Sequence, residues 1–316
     1  MKNNVLFVTE KWADGNPNFG FTHTMTDIFN TFSQTQRNYN FNTLHIDEAG
    51  VVFGKHVDDI LPRYCLSWDI KIVIVSLLGN SPMNPSLECF QKLKQLGIFI
   101  CFLWCDSNPN DLALINYLRP ITDINVFMDA SYIPERKYEE NDLVLWTPLD
   151  SNLFYPDDKT REVSFVGRLY PYREASMSML SEVYPKAIVK SGQREHRLSF
   201  EEYAQITRES QIIVNFSYHP LGYHQVKGRV FEATASNCLL LESDNPATEK
   251  LFIPNKEYVP FISPKDLLDK VNYYLENEEE RLKIAQSGHE AYQQRFNITI
   301  FWNKIMSRAE SYLNND

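Results

Sequence analysis

Residues Gly222 to Leu241 read GYHQVKGRVFEATASNCLLL and set out a loop, a short helix and a strand. The loop contains two glycines, the helix carries Arg229 and Glu232, and the apolar run begins at Cys238. This order is typical of an open α/β sheet. In such a sheet the loop lies at the carboxyl end of a strand, and the helix N-terminus points at the ligand.

Lys227 and Arg229 place two positive charges at the start of this helix. A cation there faces the positive end of the helix dipole, which costs a few tenths to about 1 kcal/mol. A bound phosphate or diphosphate would make the interaction energy of these cations favourable. Because Gly222 and Gly228 have no Cβ, backbone N–H groups can approach such an anion. Glu232 lies one turn later on the Gly228 face, where a ribose diol fits a carboxylate. The alternative is a solvated helix start with ordinary surface charges.

A similar pattern of strand, glycine and cation occurs earlier in the chain. Glu162 to Val166 reads as a strand, Gly167 and Arg168 follow it, and Arg173 lies at the start of the next helix. Two solvated arginines are the alternative explanation. Two such patterns in one half of the chain favour a diphosphate shared between them.

The composition sets limits on the class of protein. The chain has 316 residues, enough for two domains, and a formal net charge of -10, which argues against a general nucleic-acid binder. Most of the five cysteines lie in or beside apolar runs, so we expect reduced core residues in a reducing compartment. Cys101 and Cys105 share a strand face, but no histidine cluster completes a zinc site, and we expect no metal centre.

The apolar runs of the sequence predict neither a signal peptide nor a transmembrane helix. The apolar run at the start of the sequence is too short for a signal peptide. No apolar run approaches the about 20 residues that span a bilayer. We therefore expect a cytoplasmic protein without a transmembrane segment.

The first half alternates short apolar runs with helical patterns. The predicted strands lack the alternation of a half-exposed strand, as expected where helices cover both faces of a sheet. They are Val5–Val8, Ile70–Leu78, Ile98–Trp104, Ile124–Met128 and Leu143–Trp146. A loop with glycines and a helix from Thr22 follow the first of them, without the GxGxxG pattern of a dinucleotide site.

Two polar residues follow strands in this half. His23 lies at a helix start, where it can contact an acceptor or leaving group, and a polar surface histidine is the alternative. Asp106 comes just past the Ile98–Trp104 strand and is a candidate substrate contact. The alternative for Asp106 is a helix cap, because Asp-Ser-Asn-Pro is a common helix start.

The segment Thr147 to Pro156, TPLDSNLFYP, has two prolines and no periodicity, so we interpret it as a linker. Strands and helices alternate again beyond it, and the chain closes in helices. We predict an α/β protein with two Rossmann-like, doubly wound domains that face each other across a cleft. The predicted domains are residues 1–155 and 156–316.

Several segments resemble the carboxyl-terminal half of family-1-type glycosyltransferases. They are VSFVGRLYPYREASMSML at 163–180, GRVFEATASNCLLLESDN at 228–245 and the helix-rich tail. The spore-maturation (CgeB-like) group is the most similar, and the resemblance covers roughly residues 147–300. It implies a GT-B fold, with a nucleotide-sugar donor held by the second domain and the acceptor by the first.

The resemblance also implies roles for single residues. Glu232 matches the carboxylate that binds the donor ribose, and Arg168 and Arg173 match diphosphate contacts. The predicted donor-binding set is completed by Gly167, Lys227, Gly228 and Arg229. Many related retaining enzymes have a glutamate eight positions before the ribose carboxylate, where this chain has His224. His224 is therefore the catalytic candidate beside the donor sugar, and Asp106 and His23 are candidate bases from the first domain.

The implied function is transfer of a sugar from a UDP- or GDP-type nucleotide sugar to a glycan, protein or small-molecule acceptor. We expect retention of configuration and no cofactor or metal, because Arg and Lys side chains can neutralise the diphosphate. Two alternatives stay open: a catalytically silent nucleotide-sugar-binding protein, favoured by His224, and a GT-B-shaped sugar-nucleotide epimerase or hydrolase.

Overall fold

The computed structural model describes residues 3–105, 112–128, 138–190, 198–219 and 223–315. The chain forms two compact units. The first comprises residues 1–129, 133–148 and 298–316, and the second comprises residues 130–132 and 149–297.

The first unit contains a parallel sheet of six strands in the order β2-β1-β3-β4-β5-β6. The strands are β1 (Asn3–Thr9), β2 (Tyr39–His45), β3 (Ile70–Val75), β4 (Phe99–Trp104), β5 (Ile124–Phe127) and β6 (Asp142–Val144). All residues of β4 and β5 are buried, as the lack of alternation predicted. The strand β2 was not predicted, because it is an edge strand of mostly polar residues in which Leu44 alone is buried.

The second unit contains a parallel sheet of five strands in the order β13-β12-β9-β7-β8, and a separate antiparallel hairpin of β10 and β11. The strands are β7 (Arg161–Gly167), β8 (Ile188–Lys190), β9 (Ser210–Asn215), β10 (Tyr218–His219), β11 (Tyr223–His224), β12 (Leu239–Ser243) and β13 (Val259–Phe261). β7 and β12 confirm the strands predicted at Glu162–Val166 and after Cys238. The hairpin lies in the segment that was predicted to be a loop.

The described helices alternate with these strands. They are α1 (His23–Thr35), α2 (Ile46–Phe53), α3 (Val57–Ser67), α4 (Leu87–Gln95), α5 (Leu112–Leu118), α6 (Pro171–Val183), α7 (Phe200–Glu209), α8 (Gly228–Ala235), α9 (Pro246–Glu249), α10 (Pro264–Glu276), α11 (Glu278–Arg295) and α12 (Ile298–Asn315). None of these helices is long and apolar enough to cross a bilayer.

Local sequence signals set several helix ends. Ser199 begins α7 with a capping box, in which its hydroxyl accepts from the Glu202 N–H and the Glu202 carboxylate accepts from the Ser199 N–H. The Ser263 hydroxyl accepts from the backbone N–H of Asp266 at 3.1 Å and begins α10. Gly97 follows α4 at φ +71°, the left-handed conformation expected of a helix-ending glycine.

The last helix departs from the predicted domain division. The sequence analysis placed residues 156–316 in one domain, whereas α12 packs in the first unit and the chain passes between units after residue 148. Trp302 is fully buried, and its indole N–H donates to Thr31 Oγ1 at 2.7 Å. Its ring centroid lies 5.1 Å from that of Phe32. The apolar stripe of α12 predicts packing correctly, but a stripe does not specify which sheet it will cover.

Candidate functional site

A cavity of about 400 Å³ lies at the carboxyl end of β7, beside the starts of α6 and α8. This is the edge at which parallel α/β sheets bind ligands. The cavity is lined by Val166, Gly167, Arg168, Tyr170, Arg173, Tyr203, Lys227, Gly228, Arg229 and Glu232. Every residue of the predicted donor-binding set is therefore in one cavity of the second unit.

Gly167 is the last residue of β7, and its backbone conformation suits glycine alone. Its φ is +150°, and a Cβ there would lie 3.1 Å from Arg229 Nη2. The same guanidinium nitrogen donates to the carbonyl oxygen of Val166. The strand must therefore end in a residue without a side chain if Arg229 is to pack against it.

Arg229 extends from the first turn of α8 across the end of the sheet. Its Nη1 donates to Asn215 Oδ1 at 2.6 Å, and its guanidinium lies 5.1 Å from the Phe165 ring centroid. Its Nε is buried and has no hydrogen-bond partner among the described residues. Its direct contacts are therefore neutral groups and an aromatic face, with no carboxylate in ion-pair contact among the described residues.

Arg173 is held in a similar way at the start of α6, where it is only 6% exposed. Its Nη1 donates to the Arg168 carbonyl oxygen at 3.0 Å, and its Nη2 donates to that of Phe216 at 3.4 Å. Four aromatic rings lie 4.9 to 5.6 Å from its guanidinium carbon, those of Phe165, Tyr170, Tyr172 and Phe216. Burial lowers the pKa of Arg173, and the neighbouring charge of Arg229 acts in the same direction.

No carboxylate of the described residues forms an ion pair with Arg173 or Arg229. Other well-buried arginines of the chain do have such a partner: Arg119 with Asp142, Arg208 with Glu201, and Arg281 with Glu278. The two cavity arginines thus differ from the structural ones. A buried cation costs several kcal/mol unless an anion compensates it, so the cavity is suited to an anionic ligand.

The helix starts beside the cavity add to its positive field. Tyr170 and Lys227 occupy the N-cap positions of α6 and α8, and neither makes a side-chain capping hydrogen bond. The Lys227 ammonium group donates to the Gln225 side-chain oxygen. First-turn N–H groups that a side chain does not cap are available to a phosphate oxygen.

Among the described residues that line the cavity, Glu232 is the only carboxylate, and it is 9% exposed. The Tyr203 hydroxyl, from α7, donates to its Oε2. Burial raises the pKa of Glu232, while the Tyr203 hydrogen bond and the Arg229 charge act in the opposite direction. Tyr203 did not emerge from the sequence, because its position in a capped amphipathic helix resembles that of an ordinary packing residue.

The three predicted catalytic residues are not part of this cavity as described. His224 ends β11, with its ring 5.8 Å from that of Tyr218 and its Nδ1 buried without a hydrogen-bond partner in the described structure. Asp106 lies outside the described residues, as does the side chain of His23, the first residue of α1. Their roles stay predictions. Within the described ranges no three His, Cys, Asp or Glu side chains come together as a metal site.

Comparison with known proteins connects this geometry to a family. Residues 157–307 match the family model described as glycosyl transferase-like, and a search of curated proteins found no match. The structure of Anabaena Alr3699/HepE in complex with UDP and glucose is similar, with a TM-score of 0.62 at 12% identity, covering 98% of this chain and 100% of that chain.

Two further solved structures show the same architecture. A glycosyltransferase from Rickettsia africae has a TM-score of 0.63 at 11% identity, with 100% of each chain covered. A sucrose-phosphate synthase from Thermosynechococcus elongatus has a TM-score of 0.59 at 10% identity, covering 98% of this chain and 100% of that chain. The predicted GT-B fold is confirmed, while the spore-maturation subgroup stays a prediction. Residues 157–307 match a glycosyl transferase-like domain, and the chain has the fold of the GT-B glycosyltransferases.

Proposed function

We propose that the protein transfers a sugar from a nucleoside-diphosphate sugar to an acceptor, and that the cavity of the second unit binds the donor. The observation that carries this proposal is the pair of guanidinium groups of Arg173 and Arg229. Both line one cavity, and neither has an ion-pair partner among the described residues. A diphosphate would supply the missing negative charge.

The chemistry of the pair matches a diphosphate better than a single carboxylate ligand. Guanidinium groups bind phosphate oxygens through two parallel N–H donors, and two of them can engage two phosphates. The volume of about 400 Å³ is in the range of small-molecule sites, which is about 300 to 1,000 Å³. The uncapped start of α8 supplies further N–H donors.

Glu232 is the proposed ribose contact. The Tyr203 hydroxyl occupies its Oε2, so we expect Oε1 to accept from a ribose hydroxyl. A neutral diol suits this carboxylate, since a second anionic group would be repelled by it. The relative from Anabaena was solved with UDP and glucose, which supports a UDP-type donor for this chain.

Transfer breaks the bond between the sugar and the diphosphate. Negative charge then develops on the leaving oxygens, where Arg173, Arg229 and Lys227 provide fixed cations. We propose that the configuration is retained, that a donor phosphate oxygen takes the acceptor proton, and that no metal is required because these cations neutralise the leaving group. His224 is the candidate at the sugar side, and the acceptor is a glycan, a protein or a small molecule.

We also propose a reducing, cytoplasmic location. Cys65, Cys89, Cys101 and Cys238 are buried thiols. Burial raises the pKa of Cys65 to about 12, so this thiol is unreactive at neutral pH.

A thermal-shift screen with UDP-, GDP-, ADP- and dTDP-sugars tests the donor site, because a ligand at 100 times its Kd stabilises by about 2.7 kcal/mol. We expect stabilisation by one nucleotide class, and transfer to an acceptor glycan followed by nucleotide release. Release without an acceptor would indicate a hydrolase, an epimerised sugar would indicate an epimerase, and binding without turnover would indicate a silent binding protein. A screen in which no nucleotide sugar binds would refute the proposal.

A further inference from the structure

We propose that Glu242 is a positioning residue of the donor cavity, which acts through Asn215 to hold the Arg229 guanidinium where it meets the diphosphate. The inference rests on the proposed function and adds to it a residue that lines no part of the cavity. We use the term relay for these three hydrogen-bonded residues, Glu242, Asn215 and Arg229.

The relay begins in the pairing of β9 with β12, where Asn215 and Glu242 are register partners. Asn215 Nδ2 donates to Glu242 Oε2 at 2.7 Å, and Asn215 Oδ1 accepts from Arg229 Nη1 at 2.6 Å. Both Asn215 and Glu242 are fully buried. The relay therefore runs from the interior of the sheet to the cavity through two short hydrogen bonds.

The direction of these bonds follows from the chemistry of the groups. A carboxylate only accepts hydrogen bonds and a guanidinium only donates them. Asn215 satisfies both only with its NH₂ group toward Glu242 and its oxygen toward Arg229. The opposite amide orientation would place two donors face to face and two acceptors face to face. Glu242 thus determines which side of the amide Arg229 meets.

The surroundings of Glu242 contain no cation in direct contact among the described residues. The Ser217 hydroxyl donates to Oε1, and Thr248 Oγ1 lies 3.5 Å from the same oxygen. Burial raises the pKa of Glu242 to about 7, while Ser217, Asn215, Asn245 and then the Arg229 charge act in the opposite direction. Burial raises the pKa of Tyr258, which lies just before β13, and the charge of Glu242 acts in the same direction.

A buried carboxylate without a contacting cation lowers the stability of the folded protein, because its desolvation is not offset by an ion pair. The relay offers a specific reason for the charge, because Glu242 is compensated through Asn215 by the same cation that we assign to the ligand.

The test compares Glu242→Met with the wild-type protein by calorimetric titration with inorganic pyrophosphate, UDP and uridine. Met fills the space without an acceptor, so Asn215 and Arg229 lose their fixed orientation. We expect pyrophosphate and UDP to bind about tenfold more weakly, the value of one hydrogen bond to a charged group, and uridine to bind within about twofold. Glu242→Gln keeps an oxygen acceptor for Asn215, and we expect it to restore diphosphate binding to within about threefold.

A matched control separates positioning from loss of stability. Glu257 is a second buried carboxylate of the same unit, 8% exposed, which accepts from the Ile253 N–H and from Arg295. Glu257→Met should lower the melting temperature without changing the ratio of UDP to uridine affinity. If Glu242→Met does not fold, Asn215→Ala provides the second test. Because Glu242 acts through Asn215, we expect folded Asn215→Ala to bind UDP about tenfold more weakly and uridine within about twofold, and unchanged UDP affinity would overturn the relay.

The outcomes distinguish the relay from the donor site itself. If the wild-type protein binds UDP and pyrophosphate, and folded Glu242→Met binds them equally well, the relay is wrong and the proposed function stands. Equal losses for uridine and UDP would also overturn the relay, since they would indicate a general disturbance of the cavity. If the wild-type protein binds neither pyrophosphate nor any nucleoside diphosphate, the proposed function fails, and the relay fails with it.

Discussion

The Tyr203 hydroxyl donates a hydrogen bond to Glu232 Oε2, which joins α7 to α8 at the donor cavity. The bond holds one oxygen of the cavity carboxylate and leaves the other to accept. The preference of the cavity for ribose over 2′-deoxyribose should therefore depend on both residues, and Tyr203 should act through Glu232.

Replacing Glu232 tests this dependence. We expect Glu232→Ala to weaken UDP binding by about tenfold to a hundredfold, because a hydrogen bond to a charged group contributes about 1.5 to 3 kcal/mol. The preference for UDP over 2′-deoxy-UDP should vanish in this variant, and Tyr203→Phe should reduce it less. Calorimetric titration measures these affinities, with Glu279→Ala on the exposed face of α11 as a control. An undiminished preference for the ribose in Glu232→Ala would contradict the assigned role.

Arg173 is expected to support turnover and diphosphate affinity together. Its guanidinium bridges the carbonyl oxygens of Arg168 and Phe216 inside an aromatic enclosure. Arg173→Lys keeps the charge but lacks the planar fork, so we expect both Arg173→Lys and Arg173→Ala to lower kcat/KM by at least about tenfold. Steady-state kinetics with varied donor gives this value. An unchanged kcat together with an unchanged KM for the donor in Arg173→Ala would show that the residue stabilises only the fold.

Gly167→Ala should affect both stability and ligand binding. The positive φ of Gly167 would cost alanine about 1 to 3 kcal/mol. The added Cβ would also lie 3.1 Å from Arg229 Nη2. Gly97→Ala is a matched control, because Gly97 also has a positive φ but no atom within 4 Å of the added Cβ. We expect both variants to melt at lower temperature and only Gly167→Ala to bind UDP more weakly. Equal UDP affinities would mean that Arg229 moves aside without consequence.

Glu242 should give the protein a pH-dependent stability. Because burial raises its pKa from 4.5 to about 7, the folded state binds more protons than the unfolded state between these values. Its contribution is complete below about pH 4.5 and is lost as the pH rises through about 7, on the order of 3 kcal/mol in total. Urea unfolding at a series of pH values measures this slope, and Glu242→Gln should remove it. Parallel pH profiles for the two proteins would indicate that Glu242 titrates normally.

Trp302 tests the assignment of α12 to the first unit. We expect Trp302→Ala to cost about 3 to 5 kcal/mol, the usual loss for a large buried aromatic side chain. Limited proteolysis followed by mass spectrometry should detect new cleavage within residues 3–105, with residues 149–297 still protected. Trp68→Ala is the control, because Trp68 is 56% exposed. Cleavage that begins within residues 149–297 would instead support the division predicted from the sequence.

Local patterns were sufficient for most of the fold and much of the site. Apolar runs indicated the buried strands, and the glycine at the end of β7 pointed to a ligand edge. These signals work because each depends on residues within one or two turns of each other. The edge strand β2 was not predicted, because its mostly polar sequence contains no apolar run.

The order of strands and helices, and the cations that stand at two helix starts, could be read directly from the chain, since neighbouring residues create those patterns. The partnership of Tyr203 with Glu232, the pairing of Asn215 with Glu242 and the packing of Trp302 against Phe32 could not. Each joins residues distant in the chain, and many sheet orders and helix packings satisfy the same local preferences. Burial and hydrogen-bond satisfaction in the folded units select among them.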